Sequence, residues 1–271
     1  MNKITLSIIT PAFNASSFIA EAIESILNQT YTNFEYIILD DNSTDNTFDI
    51  ARSYEKKDKR IKVYRNKHRL GIPQNRNKGI SLATGRFVMW QDADDISHPK
   101  RAEKLVNFMD NNKEVGMCGT NVLFFDKKNQ KGKRLYKTSD QELRNSIFLY
   151  SPISQPSAIV RTECFRVLGG FKSKWESAED LEMSFRIGTK YKLANLNECL
   201  LKYRLHNKST TYTHLIRTES NTLKIRKEYN KTKYYNMTLI DKIYNFIQLV
   251  TMYIMPPNFR IWLFNKIRNT K

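Results

Sequence analysis

The chain has 271 residues, 40% of them hydrophobic and 12% aromatic, which supports one large domain or two small ones with a real core and excludes a largely disordered chain. Cys118, Cys164 and Cys199 are three, far apart and without CxxC spacing, so neither a zinc site nor a disulfide framework is indicated; this fits a reducing compartment. The net charge is +18, and residues 201–271 carry 14 Lys and Arg against three Asp and Glu: such a field attracts nucleic acid, anionic lipid or phosphorylated substrates, or serves only solubility.

In chain order, residues 1–10 hold one lysine and a short apolar stretch, too short for a signal-peptide core with its cleavage site. Ile4 to Ile9 predicts a β-strand. Ser16 or Ser17 can cap a helix whose apolar positions Phe18, Ile19, Ala22, Ile23, Ile26 and Leu27 have helical spacing. Phe34 to Leu39 predicts a second, buried strand, followed by the polar turn Asp40-Asp41-Asn42-Ser43-Thr44-Asp45 and a helix from about Asn46 to Lys56. Ile61 to Tyr64 is the third strand. A loop with Gly71 and Pro73 leads to a helix around Asn75 to Ala83. Phe87 to Trp90 is the fourth strand, and Gln91-Asp92-Ala93-Asp94-Asp95 follows it.

Beyond Arg101 the pattern is mixed. Val115 to Phe125 predicts a strand, 127–134 a basic turn, Ser139 to Tyr150 a helix, Ser157 to Val160 a strand and Leu168-Gly169-Gly170-Phe171 a turn. Ala178 to Ile187 predicts a helix opening on Glu179-Asp180, and 191–205 a further strand. After His206 two or three helices follow, broken at Pro256-Pro257. The stretch Ile243 to Met255 contains Asn245, Gln248 and Thr251 and falls short of the ~20 apolar residues of a spanning helix. A soluble or peripheral protein is expected.

Strand–helix alternation implies an α/β fold, a mainly parallel sheet flanked by helices, with ligands at the carboxyl ends of its strands. The turns 40–45 and 92–95 both follow strands directly, so the topology sets them on one edge. Three carboxylates within four positions repel one another unless a cation sits among them. Hard, oxygen-liganded ions such as Mn²⁺ or Mg²⁺ suit them and keep positions free for substrate phosphates. The alternative is a solvated acidic turn before the helix near Pro99.

Ser7-Ile-Ile-Thr-Pro-Ala-Phe-Asn14, Ser25-Ile-Leu-Asn-Gln-Thr30, Asp40-Asp-Asn-Ser-Thr-Asp45, Arg76-Asn-Lys-Gly79 and Asp92-Ala-Asp-Asp95 occur in order at fitting distances. Together they resemble a family 2 glycosyltransferase of the GT-A (Rossmann-like) fold, a group of inverting enzymes that use nucleotide sugars. The resemblance covers about residues 4–210. It implies a catalytic domain over 1–210, with a nucleotide-sugar part (1–100) and an acceptor part (101–210), and a basic helical extension over 211–271.

The roles that follow are those the resemblance implies. Pro11 and Phe13 belong to the nucleotide site, Phe13 as the aromatic against a uracil ring, unless it is a core residue. Asp41 accepts from the uracil imide, while Asp40 and Asp45 shape their turn. Arg76 lies near the nucleotide, with Asn75 where the family carries alanine, unless it is a surface charge. Asp94 is the main metal ligand; Asp92 reaches the ribose or the ion, and Asp95 shares either task. Glu179-Asp180 matches the later acidic pair, with Asp180 as general base, unless both are ordinary first-turn acids of a helix. Tyr203-Arg204-Leu205-His206-Asn207-Lys208-Ser209 matches a segment near the diphosphate, and His206 is a further metal ligand or phosphate contact.

The implied partners are a nucleotide sugar, UDP-linked, and a saccharide or lipid-linked saccharide acceptor of bacterial surface polysaccharide synthesis. The implied place is the cytoplasm, at the inner face of the membrane if the basic C-terminal helices bind anionic lipid; a helical cap or dimer surface is the alternative. A sugar-phosphate nucleotidyltransferase would carry a Gly-rich phosphate loop with a lysine near the first strand, and Thr10-Pro11-Ala12-Phe13-Asn14 has neither. A nucleic-acid-binding protein would carry aromatic–basic motifs, which are absent, so nucleic acid is not an expected partner.

Overall fold

The computed structural model describes residues 4–127, 129–206 and 214–267. Four parallel-paired strands open the chain: β1 (Leu6–Ala12), β2 (Phe34–Asp40), β3 (Ile61–Arg65) and β4 (Phe87–Trp90), separated by α1 (Ile19–Leu27), α2 (Thr47–Glu55) and α3 (Ile72–Leu82). Each central strand feeds both faces of the sheet. Leu6 and Ile8, Tyr36 and Ile38, Phe87 and Met89 enter one core with α1; Ile9, Ile37, Leu39, Val88 and Trp90 enter the other. That double burial is why these strands read as continuous apolar runs rather than alternating ones.

The second half joins the same sheet. It comprises β5 (Ile96–Ser97), α4 (Arg101–Asn111), β6 (Val115–Asp126), β7 (Asn129–Arg134), α5 (Asp140–Ser146), β8 (Ile159–Arg161), α6 (Thr162–Leu168), α7 (Glu179–Gly188) and β9 (Lys192–Arg204). The order is β3-β2-β1-β4-β8-β6-β9-β5, with β7 beside β6. β8 runs antiparallel to both β4 and β6, so the parallel half gives way to a mixed one. Three helices follow: α8 (Leu215–Tyr229), α9 (Leu239–Ile254) and α10 (Pro257–Ile267). No described helix is long and apolar enough to cross a membrane. The expected domain boundary near residue 210 lies outside the described residues.

Some local expectations change. Neither Ser16 nor Ser17 caps α1, which starts at Ile19 without a side-chain cap; the Ser16 N–H donates to Asp45 Oδ2 instead (3.1 Å). Much of the basic turn at 127–134 is the strand β7, paired antiparallel with β6. It is mostly exposed and polar, so it carries no apolar alternation to betray it. α6 was not expected, being too short to display a helical period. α5 is held by a capping box between Ser139 and Glu142, which supports the predicted start at Ser139.

Glu35 joins β2 to the entry of β4. Its buried carboxylate accepts from Ser7 Oγ (2.8 Å), Thr84 N (2.7 Å), Thr84 Oγ1 (2.7 Å) and Lys62 Nζ (2.8 Å). Desolvation pushes this carboxyl up, but Lys62, Thr84 and Ser7 outweigh it and hold it below its ordinary 4.5. A depressed folded-state pKa gives stability that is present above 4.5 and lost as pH falls through the folded value. Glu35→Gln is expected to lower stability by about 2 kcal/mol. In urea melts the gap from wild type should narrow below pH 4.5; a gap independent of pH would refute the account.

Candidate active site

Because β1, β2 and β4 run parallel, their carboxyl ends share one rim. Backbone bonds lock it: Asp41 N–H to Ala12 O (2.8 Å) and Gln91 N–H to Ile9 O (3.0 Å). A cavity of about 1080 Å³ opens above that rim, lined among others by Phe13, Asp41, Arg76, Asp92, Asp94 and Asp180. Pro11, Glu179 and His206 line it as well. Residues far apart in the chain thus meet in one crevice.

At one end, Phe13 is 37% exposed, so the reading of a core phenylalanine does not hold. The Arg69 guanidinium lies 4.0 Å from its ring centroid, a cation–π contact the sequence did not announce. Asp41 is buried and fixes the loop before α3. Its Oδ1 accepts from Asn66 Nδ2 (2.7 Å) and Leu70 N (2.8 Å), and its Oδ2 from Gly71 N (2.9 Å). A carboxylate has about four lone-pair sites, so capacity remains for one further donor. Gly71 has φ +81°, a left-handed value that glycine adopts at little cost, and this turns its N–H toward Asp41. Asn75, in the alanine's place, donates to Leu39 O (3.1 Å) and accepts from Asn66 (2.9 Å), pinning α3 to the end of β2.

Asp92 and Asp94 line the cavity, and with Asp95 each offers an oxygen within 4.8 Å of the others. Asp41 is not in this group: it shares the cavity but serves the loop. Burial pushes the Asp92 carboxyl up to about 6, with Arg76 opposing and Asp94 reinforcing. Asp95, 1% exposed, is raised by burial and then by Asp94 and Asp92. Its Oδ1 accepts from Arg204 N (2.9 Å), while its Oδ2 is buried without a hydrogen-bond partner. Crowded, partly orphaned carboxylates fit a hard divalent cation, so the residues present suit the expected metal. A solvated acidic turn does not describe Asp95.

His206 Nε2 is 2.7 Å from Asp94 Oδ2, and its ring packs on Phe18 at 5.0 Å. It therefore adjoins the acids through Asp94. Arg204 lies behind them. Its guanidinium donates to Asp94 O (2.8 Å) and pairs with Glu21, between the rings of Phe18 and Phe125. These contacts commit it to placing Asp94 rather than to the cavity. The rest of its motif, Asn207 to Ser209, lies outside the described residues.

Beneath the acids Arg101 is fully buried and donates to Gln91 Oε1 (3.0 Å), Ser97 Oγ (2.8 Å) and Pro156 O (2.7 Å). Burial lowers its pKa to about 10, so it stays charged at neutral pH. Nothing in the sequence marked it, since an arginine at a helix start reads as surface.

Across the cavity, α7 delivers Glu179 and Asp180. Every other residue of α7 is buried, and Asp180 is half-buried at the wall, with Oδ1 accepting from Leu181 N (2.8 Å). Glu179 is 4% exposed and accepts from Arg76 Nη1 (2.7 Å). Arg76 is 7% exposed, between Trp90 and Phe171, with Asp92 at 3.8 Å. Neither a surface arginine nor an ordinary first-turn acid describes this pair. Arg76 ties the residue beside Asp180 to the acidic turn, and sequence spacing gave no sign of that link.

The sequence matches the family model described as Glycosyl transferase family 2 over residues 7–168. The chain belongs to that family. This glycosyltransferase is 32% identical to the putative teichuronic acid biosynthesis glycosyltransferase TuaG of Bacillus subtilis, over 76% of this chain and 81% of that one. Its fold matches S. aureus TarS 1-349 in complex with UDP-GlcNAc (TM-score 0.71, 19% identity, 94% of this chain and 74% of that one). It also matches the mannosyltransferase PcManGT of Pyrobaculum calidifontis, in complex with GDP-Man and Mn²⁺ (TM-score 0.68, 16% identity, 94% and 71%). The glycosyltransferase is thus a GT-A enzyme of mixed α/β architecture. Membership of this family sets aside a sugar-phosphate nucleotidyltransferase and a non-catalytic nucleic-acid-binding protein.

Proposed function

We propose that this glycosyltransferase moves a sugar from a UDP donor to a saccharide hydroxyl by a single inverting displacement, with Asp180 as general base. The observation that carries the reading is that Phe13, Asp41, Asp92, Asp94 and Asp180 line one cavity together, with Arg76 linking Glu179 (2.7 Å) to Asp92 (3.8 Å). Phe13 offers a π-face to a base, and Asp41 keeps acceptor capacity for an imide N–H. Asp94 and Asp92 would hold a divalent ion, with Asp95 and His206 beside them. When bound, that ion supplies Lewis-acid stabilisation of charge on the departing diphosphate. Asp180 takes the hydroxyl proton as the acceptor oxygen attacks the anomeric carbon and the bond to the diphosphate breaks. Arg76 and Glu179 hold the base in place against the donor site.

A surface polysaccharide is the proposed destination, and the likeness to TuaG supports it. The test is nucleotide release from UDP-, GDP- and dTDP-sugars with Mn²⁺, Mg²⁺ or EDTA. UDP-sugar turnover should fall at least about 100-fold with EDTA and with Asp94→Asn, a loss of several kcal/mol of transition-state stabilisation. Turnover indifferent to EDTA would remove the metal from the reading, and a preference for GDP-sugars would remove UDP.

A further inference from the structure

Helix α9 is mounted inside out. Globular helices bury their apolar stripe and expose the polar one. Here Asp241 is 3% exposed, Asn245 donates to Phe148 O (3.0 Å), and buried Arg226 donates to Asn245 Oδ1 (3.1 Å) and Gln248 Oε1 (2.9 Å). A capping box between Thr238 and Asp241 fixes the start. The opposite face points outward: Ile240, Ile243, Phe246, Ile247, Tyr253 and Ile254 are 50–82% exposed. At 100° per residue they form one stripe, and Lys242 borders it. On α10 Phe259 and Trp262 are also exposed, their rings 5.4 Å apart, with Lys266 over Trp262 at 5.0 Å.

We propose that this face docks on an anionic lipid surface, α9 lying flat with its stripe among the acyl chains. Charge complementarity selects that occupant. Lys242 on α9, Lys266 on α10 and Lys231 and Lys233 in the turn that leads into α9 are exposed. The acids of residues 214–267 do not offset them: Asp241 is buried, Glu219 is paired with Arg260 (2.9 Å) and Glu228 lies 3.5 Å from Lys174. A second copy would bring the same positive rim against this one, whereas anionic headgroups neutralise it. Sixteen residues make a rod of about 24 Å, and with polar contacts along its inner face it can lie in an interface but not span. The exposed Tyr253 and Trp262 are of the types that favour headgroup depth.

The opposite, inward side of these helices borders the catalytic cavity. Gln248 of α9 and Arg260, Ile261 and Phe264 of α10 line it together with Asp180. On the transferase reading above, docking by the outer side holds the cavity that these helices border close to the membrane, within reach of a lipid-anchored saccharide.

The experiment is co-sedimentation of the full chain with sucrose-loaded vesicles of phosphatidylcholine, alone or mixed with phosphatidylglycerol. Binding to the mixed vesicles is expected, weakening as salt rises. Lys231→Gln, Lys233→Gln and Lys242→Gln should each weaken it about fivefold. The double variant Phe246→Glu/Ile247→Glu should abolish it with unchanged circular dichroism and melting temperature. No binding by wild type, equal binding by the double variant, or binding indifferent to the lysine changes overturns the proposal. So does a solution dimer that the double variant dissociates. Nucleotide binding, measured by calorimetry on the same preparations, separates failure of docking from failure of the donor reading.

Discussion

Asp180→Asn is expected to lower kcat for sugar transfer by about 10²–10⁴-fold while leaving the affinity for nucleotide within about threefold, a difference below 1 kcal/mol. Asparagine keeps the shape of the side chain, and its carbonyl can still accept from the Leu181 N–H that Asp180 Oδ1 now holds at 2.8 Å. What disappears is the charge and the capacity to take a proton. Asp180 stands in the first turn of α7 and lines the cavity; the variant removes one negative charge that acts on Asp92 but none of the contacts of Phe13 or Asp41. Transfer is read by chromatography of the glycosylated acceptor, and binding by calorimetry with UDP. If the variant fails to bind nucleotide, Asp180 belongs to the donor site and the base lies elsewhere; if it transfers at wild-type rate, no base is needed at that position.

The second large effect concerns Arg76 and Glu179, whose side chains are 8% and 5% exposed and 2.7 Å apart. Removing one member of a buried pair leaves an uncompensated charge, typically at about 3–5 kcal/mol, whereas replacing both with apolar groups is often close to neutral. Arg76→Met and Glu179→Met are therefore each expected to lower stability by about that amount, and the double variant to recover most of it. Burial pushes the Glu179 carboxyl up to about 7, with Arg76 pulling it down and Asp180 pushing it further up. A carboxyl raised above its unfolded value binds its proton more strongly when folded. Its contribution to stability is therefore complete below 4.5 and diminishes as pH rises through 7. Arg76→Met removes the positive charge that opposes the shift, so its deficit should be larger at pH 8 than at pH 5. Chemical denaturation of the four proteins at both pH values checks this. Additive losses in the double variant would mean that the two side chains act separately, and that Arg76 does not brace Asp180 against the acidic turn.

The first hundred residues were legible because their strands are buried on both faces. Runs such as Phe34–Leu39 and Phe87–Trp90 have few other uses, and the acids after β2 and β4 had to meet on one rim once the strands were parallel. Asp92, Asp94 and Asp95 form a cluster as their spacing suggested. The motif of Asp41 raised the expectation of a uracil contact, but its three hydrogen bonds to the 66–71 loop could not be read from it. β7 and α6 escaped because a mostly exposed polar strand and a seven-residue helix carry no usable period.

The amino-acid order alone determined the strand–helix alternation, the edge on which ligands gather and the family to which the chain belongs, since each rests on local patterns that folding does not rearrange. Only the tertiary structure decided which charges are partners. Arg76 and Glu179 are 103 positions apart, and their contact follows from how α3 and α7 are set around the sheet, a packing choice that neither segment encodes by itself. The orientation of α9 is of the same kind. Its periodicity says that one face is apolar and the other polar, but which face turns inward depends on whether Arg226 and the Phe148 carbonyl stand ready to satisfy buried amides.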